Sequence, residues 1–265
     1  MKRMASLLLG LAGCLLLAGC FDVEQSLVLQ KDLSGKAGFS MKVDMEPMVY
    51  MMLMMQRSME GKEGEPTAAE LEQAKKDFLA KSKKTESKPD PEQQKKDLAK
   101  SLPPGVKLLD SSFQDQGLKL LAAFTLGFDD VHKLKQVRLS EQKPADQQQG
   151  PPGAENPFDT PFGDLEITEQ GNTILLTTKA KNPLEEQKEQ MGGEGQVAPE
   201  MEKQLEQAFK GLRIAWKIEA PFQVLEHNAH RKEGNALVWE YTLDSMKKMD
   251  PKKAAEGIRV KYKKG

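Results

Sequence analysis

The sequence predicts an α+β fold, a curved and mainly antiparallel sheet of repeated hairpins packed against helices. Two observations carry that reading. Apolar residues recur at every second position in paired runs separated by turn residues, and short helical stretches follow the hairpins. Strands that are apolar on one face build an antiparallel sheet, which curls around or under its helices. Of the 265 residues, 30% are charged and only 6% aromatic, so part of the length is not core. We expect a single domain from residue 20 to 265 with polar insertions near 60–102 and 140–163.

The elements follow in order. Val23, Leu27 and Leu29 lie on one side, Lys31-Asp32-Leu33-Ser34-Gly35 turns, and Phe39, Met41, Val43 and Met45 resume the alternation, which makes a hairpin. Glu46 to Met59 reads as a helix with Pro47 in its first turn, and Met48, Met51, Met52, Met55 and Met59 share one face. Gly61, Gly64 and Pro66 break the pattern, and Thr67-Ala68-Ala69-Glu70 has capping-box spacing. Lysine and glutamate then dominate to Ser101, as in solvated helices or a mobile charged insertion.

Period two returns after Pro103-Pro104-Gly105. Val106, Leu108 and Leu109, then Leu118, Leu120, Ala122, Phe124, Leu126 and Phe128 form a second hairpin around Gln116-Gly117, and Asp129 or Asp130 caps a short helix. Ser140 to Gly163 is rich in Gln, Pro and Gly and cannot bury enough apolar surface to order itself. Leu165, Ile167, Ile174, Leu176 and Thr178 give a third hairpin, and a helix is expected around Pro199 to Lys210 after a glycine-broken stretch. Leu212, Ile214, Trp216 and Ile218 alternate sharply with charged residues up to a kink at Pro221. Phe222, Val224 and Leu225 continue the strand. Leu237, Trp239, Tyr241 and Leu243 form another inward row after Glu233-Gly234-Asn235, followed by a helix at Asp244 to Lys248 and a closing strand with Ile258, Val260 and Tyr262. About ten strands result.

The N-terminus is of another kind. Lys2 and Arg3 precede an apolar run from Met4 to Ala18, and charge first returns at Asp22, the layout of a secretory signal. Leu17-Ala18-Gly19-Cys20 resembles the lipobox of bacterial lipoproteins, in which the cysteine receives a thioether-linked diacylglycerol before signal peptidase II cuts in front of it. The resemblance implies a signal peptide over 1–19 and a lipidated Cys20 carrying diacylglycerol and acyl chains such as palmitate. A second copy, Leu11-Ala12-Gly13-Cys14, leaves too short an apolar stretch behind Arg3, so Cys20 is preferred. The run is also shorter than the roughly 20 residues that span a bilayer.

Two or three acyl chains, at about 0.8 kcal/mol per buried methylene, make a stable anchor. The expected partner is therefore a membrane, held through Cys20, and the expected location is the cell envelope. In a host with two membranes the outer one is favoured, facing the periplasm, since Phe21 and not aspartate follows the cysteine. Because the first hairpin begins almost at Cys20, the domain is expected to lie close to the membrane surface.

Composition and motifs exclude much. With 39 basic against 40 acidic residues the chain lacks the footprint of a nucleic-acid binder. Cys14 leaves with the signal and Cys20 is consumed by lipid, so neither disulfide nor thiol nucleophile remains. Nucleophile-elbow, phosphate-loop, dinucleotide and zincin patterns are absent. His227 and His230, at odd separation, point to opposite faces of an extended strand and do not assemble a zinc site with His132. Methionine thioethers can bind Cu(I), but no His or Cys stands beside Met48 to Met59, which favours packing or contact with lipid. Trp216 and Trp239 read as core. No catalytic residue, metal or cofactor is expected, and no enzyme.

The hairpin Val23 to Met45 with its Lys31-to-Gly35 turn, Phe128-Asp129-Asp130-Val131-His132-Lys133-Leu134, and Ala220-Pro221-Phe222 followed by Asn228 and Gly234-Asn235-Ala236-Leu237-Val238-Trp239 together resemble the LppM-domain lipoproteins of bacteria. The resemblance implies a non-enzymatic envelope lipoprotein able to shelter an apolar ligand between sheet and helix. The sequence departs from members that end in a transmembrane helix, and from most in its two polar insertions. Two functions compete. One is a module that binds an apolar or lipid ligand through Met48, Met51, Met52, Met55 and Met59; the other is a structural or assembly lipoprotein that holds an envelope protein at the membrane surface.

Overall fold

The computed structural model describes residues 20–62, 64–85, 91–138, 160–178, 211–250 and 256–264. The expected signal peptide, most of the polar stretch 140–163 and the helix expected around 199–210 lie outside the described residues. Three hairpins form where the alternation places them: β1 (Cys20–Leu29) with β2 (Gly35–Asp44), β3 (Val106–Asp115) with β4 (Lys119–Phe128), and β5 (Leu165–Gln170) with β6 (Thr173–Thr178). Then come β7 (Arg213–Glu219), β8 (Gln223–His227), β9 (Arg231–Glu233), β10 (Ala236–Thr242) and β11 (Arg259–Lys263). The helices are α1 (Glu46–Met59), α2 (Ala68–Thr85), α3 (Pro91–Ser101), a 3-10 turn Val131–Gln136 and α4 (Leu243–Lys247). The fold is α+β and mainly antiparallel.

The strands divide between two sheets, where alternation alone pointed to one. A seven-stranded sheet runs β3-β4-β2-β1-β7-β10-β9, and a four-stranded sheet runs β5-β6-β11-β8. The chain changes sheet at Ala220-Pro221-Phe222, where proline has no N–H to continue the β7 ladder, and returns through Asn228-Ala229-His230. One pairing is parallel: Asp22 to Val28 of β1 lie beside Arg213 to Glu219 of β7. A parallel neighbour needs a long crossover, and the chain between these strands supplies one.

The inner rows of the large sheet, Leu27, Ala37, Leu126, Ile218 and Leu237, pack against Ile174, Leu176, Val260 and Tyr262 of the small one. Val131 and Leu134 of the 3-10 turn and Phe162 join the same core. At about 1.5–3 kcal/mol for each large apolar side chain removed from water, this cluster is the main source of stability. A smaller cluster of Phe21, Val43, Leu212 and Leu243 closes the Cys20 end of the large sheet.

Local chemistry agrees with the expected ends. Asp130 caps the 3-10 turn by accepting from the His132 amide at 2.9 Å. Thr67 and Glu70 form the expected capping box, with the Thr67 amide donating to Glu70 Oε2 at 2.8 Å. Thr242 and Ser245 make another ahead of α4, which starts one residue before its expected position. In the first hairpin turn Leu33 takes a left-handed conformation (φ 64°) with its side chain buried, and its carbonyl accepts from Val131. At Gly35 a Cβ would collide with the carbonyl oxygen of Val28, so only glycine fits there.

Asn228 ties the sheets together. Its Oδ1 accepts from the Trp239 indole N–H and from the Arg259 amide, both at 2.8 Å, and its Nδ2 donates to the Gly257 carbonyl at 2.7 Å. Trp239 belongs to the large sheet and Arg259 to the small one. On the outer face Arg213 donates to Asp22 (2.7 Å), Glu24 (3.1 Å) and Glu240 (3.1 Å), bridging β1, β7 and β10.

Two predictions follow from these bonds. Asn228→Ala leaves the buried indole N–H of Trp239 without a partner and is expected to cost about 2–3 kcal/mol, read as a lower urea midpoint. Asn228→Asp keeps the acceptor for Trp239 but sets a carboxylate oxygen against the Gly257 carbonyl, so it is expected to destabilise as well, and less at low pH where the protonated acid can donate. The second concerns acid. Hydrogen bonds from Arg213, then from Arg231, hold the Glu240 carboxyl below its ordinary value. A depressed folded value means stability that is present above the unfolded carboxyl range and lost as pH falls through the folded one. Arg213→Gln is expected to flatten that loss as pH falls below the ordinary carboxyl range in urea titrations; an unchanged profile contradicts it.

Candidate functional site

The site is built at the end of the large sheet where β1 begins. Cys20 pairs with Asp44, the last residue of β2. Asp44 Oδ1 accepts from the Glu46 amide at 3.0 Å, and the Met45 amide donates to the Leu118 carbonyl at 2.8 Å. These bonds launch α1 directly from the strand end, so the helix starts two residues from the partner of Cys20.

A helix launched this way was expected to pack on the sheet. Its main neighbour is α2 instead. Glu46, at the start of α1, pairs with Lys75 at 3.2 Å, and Arg57, in its last turn, pairs with Glu70 at 2.6 Å. Between the helices lies a cleft of 380 Å³. Its walls are apolar, from Val49, Met52 and Leu53 on one side and Ala74 and Phe78 on the other, and its rim is charged, from Arg57, Glu60, Lys62, Glu70, Asp77 and Lys81.

Two carboxyls of the rim are held below their ordinary range. The Glu70 carboxyl is held low first by hydrogen bonds from the Thr67 amide and hydroxyl, with the Arg57 charge behind them. Glu60 is held low by Lys62, 2.8 Å away, and then by Gln56. With cations and carboxylates mixed around an apolar floor, the arrangement suits an amphiphile. It offers no nucleophile with an adjacent base.

Of the expected methionines, Met52 lines the cleft. Met48, Met51, Met55 and Met59 share the predicted stripe, which is turned away from the wall formed by Val49, Leu53 and Gln56. Met48, Met51 and Met55 are partly buried and Met59 is 74% exposed. Val49, Leu53, Ala74 and Phe78 were not picked out from the sequence. Their signal is two i,i+4 apolar pairs, one on each helix, the second set among charges.

Another unforeseen residue is Gln25. It occupies the inward row of β1 between Val23 and Leu27, beside Phe39 and Trp216, and its Oε1 is buried without a hydrogen-bond partner. The histidines are apart: His227 ends β8 in the small sheet, the His230 ring lies against the Glu240 backbone in the large one, and His132 pairs with Asp130. Among the described residues no three metal-ligating side chains cluster.

No family model matches the chain, and no curated protein matches it. Among solved structures, the NMR structure of the folded domain of LppM from Mycobacterium tuberculosis is similar over 92% of this chain and 90% of that one, at 12% identity and a TM-score of 0.39.

Proposed function

We propose that the chain is a non-catalytic lipoprotein of the bacterial envelope, anchored through acylated Cys20, that holds an apolar or lipid molecule between α1 and α2. The cleft carries this reading. At 380 Å³ it falls in the range of about 300–1,000 Å³ typical of small-molecule sites, and its apolar walls meet a charged rim. The end of β1 supports the anchor, since Cys20 opens the strand without an intervening tether. LppM-like lipoproteins remain the family this reading favours, with the outer membrane as the location in a host that has two.

The other reading, an assembly lipoprotein, draws on α3, which packs on β3 while exposing Lys95, Lys96, Asp97 and Lys100 to solvent. Photocrosslinking from those positions in cells is expected to capture one discrete envelope protein if this reading holds, and a diffuse ladder if it does not.

The cleft is tested by native mass spectrometry and organic extraction of residues 21–265 secreted to the periplasm. The expected result is a single stoichiometric lipid adduct. Phe78→Asp is expected to weaken it about tenfold or more, since a large apolar side chain contributes about 1.5–3 kcal/mol of burial, while circular dichroism stays unchanged. An empty wild-type protein, or a variant that retains its lipid in full, contradicts the proposal.

A further inference from the structure

We infer that the methionine face of α1 is the surface on which the domain rests against the bilayer that carries Cys20. The inference rests on acylation of that cysteine, as proposed above, and is independent of what fills the cleft.

The first observation is charge. On the side of α1 turned from α2 stand Pro47, Met48, Met51, Met54, Met55, Ser58 and Met59, with no charged residue among them. The helix does carry charge, but Glu46 and Arg57 are engaged with Lys75 and Glu70 of α2. The charges of α1 at Glu46 and Arg57 are thus taken up by α2, and the face turned from α2 carries none. Exposure is the second observation. Met59 is 74% exposed, and Met48, Met51, Met54 and Met55 keep part of their surface open.

Position selects the occupant. The register Cys20 to Asp44 places the anchoring residue at the same strand end from which α1 departs. Acyl chains on Cys20 therefore enter the bilayer at the strand end from which α1 departs, and no length of chain separates domain from membrane. An interfacial helix buries its apolar face about 5–10 Å into the boundary between headgroups and chains, and 14 residues extend about 21 Å along it. Flexible, unbranched methionine side chains adapt to an irregular surface such as the headgroup boundary.

The test uses the full-length protein, processed and acylated in a bacterial host, reconstituted into phosphatidylethanolamine and phosphatidylglycerol vesicles. The vesicles contain a phospholipid with a diazirine in its acyl chain, and adducts are mapped by mass spectrometry after illumination. Adducts at Met51 and Met55 are expected to exceed those at Leu225, a 43% exposed residue of the small sheet, at least fivefold. The double variant Met51→Gln, Met55→Gln is expected to lose most α1 labelling while Cys20 stays acylated.

Adducts at Met51 and Met55 but none at Leu53 or Phe78 support docking and count against the cleft. Adducts at Leu53 and Phe78 alone support the cleft and overturn docking. Labelling no stronger on α1 than at Leu225 overturns it as well, as does a mature protein whose Cys20 carries no acyl group.

Discussion

The bond between the Asn228 side chain and the Trp239 indole is the constraint on which the two-sheet body depends. Trp239 is fully buried in the large sheet, and its N–H points to the segment by which the chain returns from the small sheet to the large one. The same oxygen accepts from Arg259, so β11 and β10 are held by one side chain. Without that bond a buried donor remains in an apolar core, which is costly, whereas the apolar contacts on either side are non-directional. Hydrophobic burial makes the body stable; Asn228 sets how its two sheets meet.

The parallel pairing of β1 with β7 has a comparable fixture on the outer face. Arg213 on β7 reaches three carboxylates on the two strands flanking it, and its guanidinium stays charged although burial opposes it, because Asp22, Glu24 and Glu240 outweigh that effect. A network of this kind holds geometry better than an isolated surface pair. Its consequence for function is positional. With β1 fixed at the centre of the sheet, Cys20 and the start of α1 are fixed at one end of it, and the helix pair stands on that end.

Much of this was legible in the sequence where one local period decides the outcome. Val23 to Met45, Val106 to Phe128 and Leu165 to Thr178 alternate cleanly, and all three are hairpins. The Thr67-to-Glu70 cap and the Asp130 cap were readable because a cap needs only side chains and amides a few residues apart. What alternation does not carry is which strand pairs with which. The division into two sheets at Pro221 and the parallel partner of β1 depend on contacts between residues nearly 200 positions apart, and no local pattern encodes them. Gln25 looks like a lapse in the alternation, yet it sits in the inward row. The cleft was hidden for a related reason. Ala74 and Phe78 stand in a stretch dominated by lysine and glutamate, and the methionines form the stronger apolar pattern on α1, on its neighbouring stripe.

Under the proposed function, labour is divided: a clasped sheet body positions a separate helix pair to receive an apolar ligand. Hydrogen–deuterium exchange of the mature chain, with and without a single-chain lysophospholipid, tests it most directly. Strong protection is expected in β1, β7 and β10, weaker protection in α1 and α2, and a lipid-induced gain confined to residues 46–85 and absent in Phe78→Asp. A gain located in the sheets, or none in the helices at saturating lipid, would contradict it.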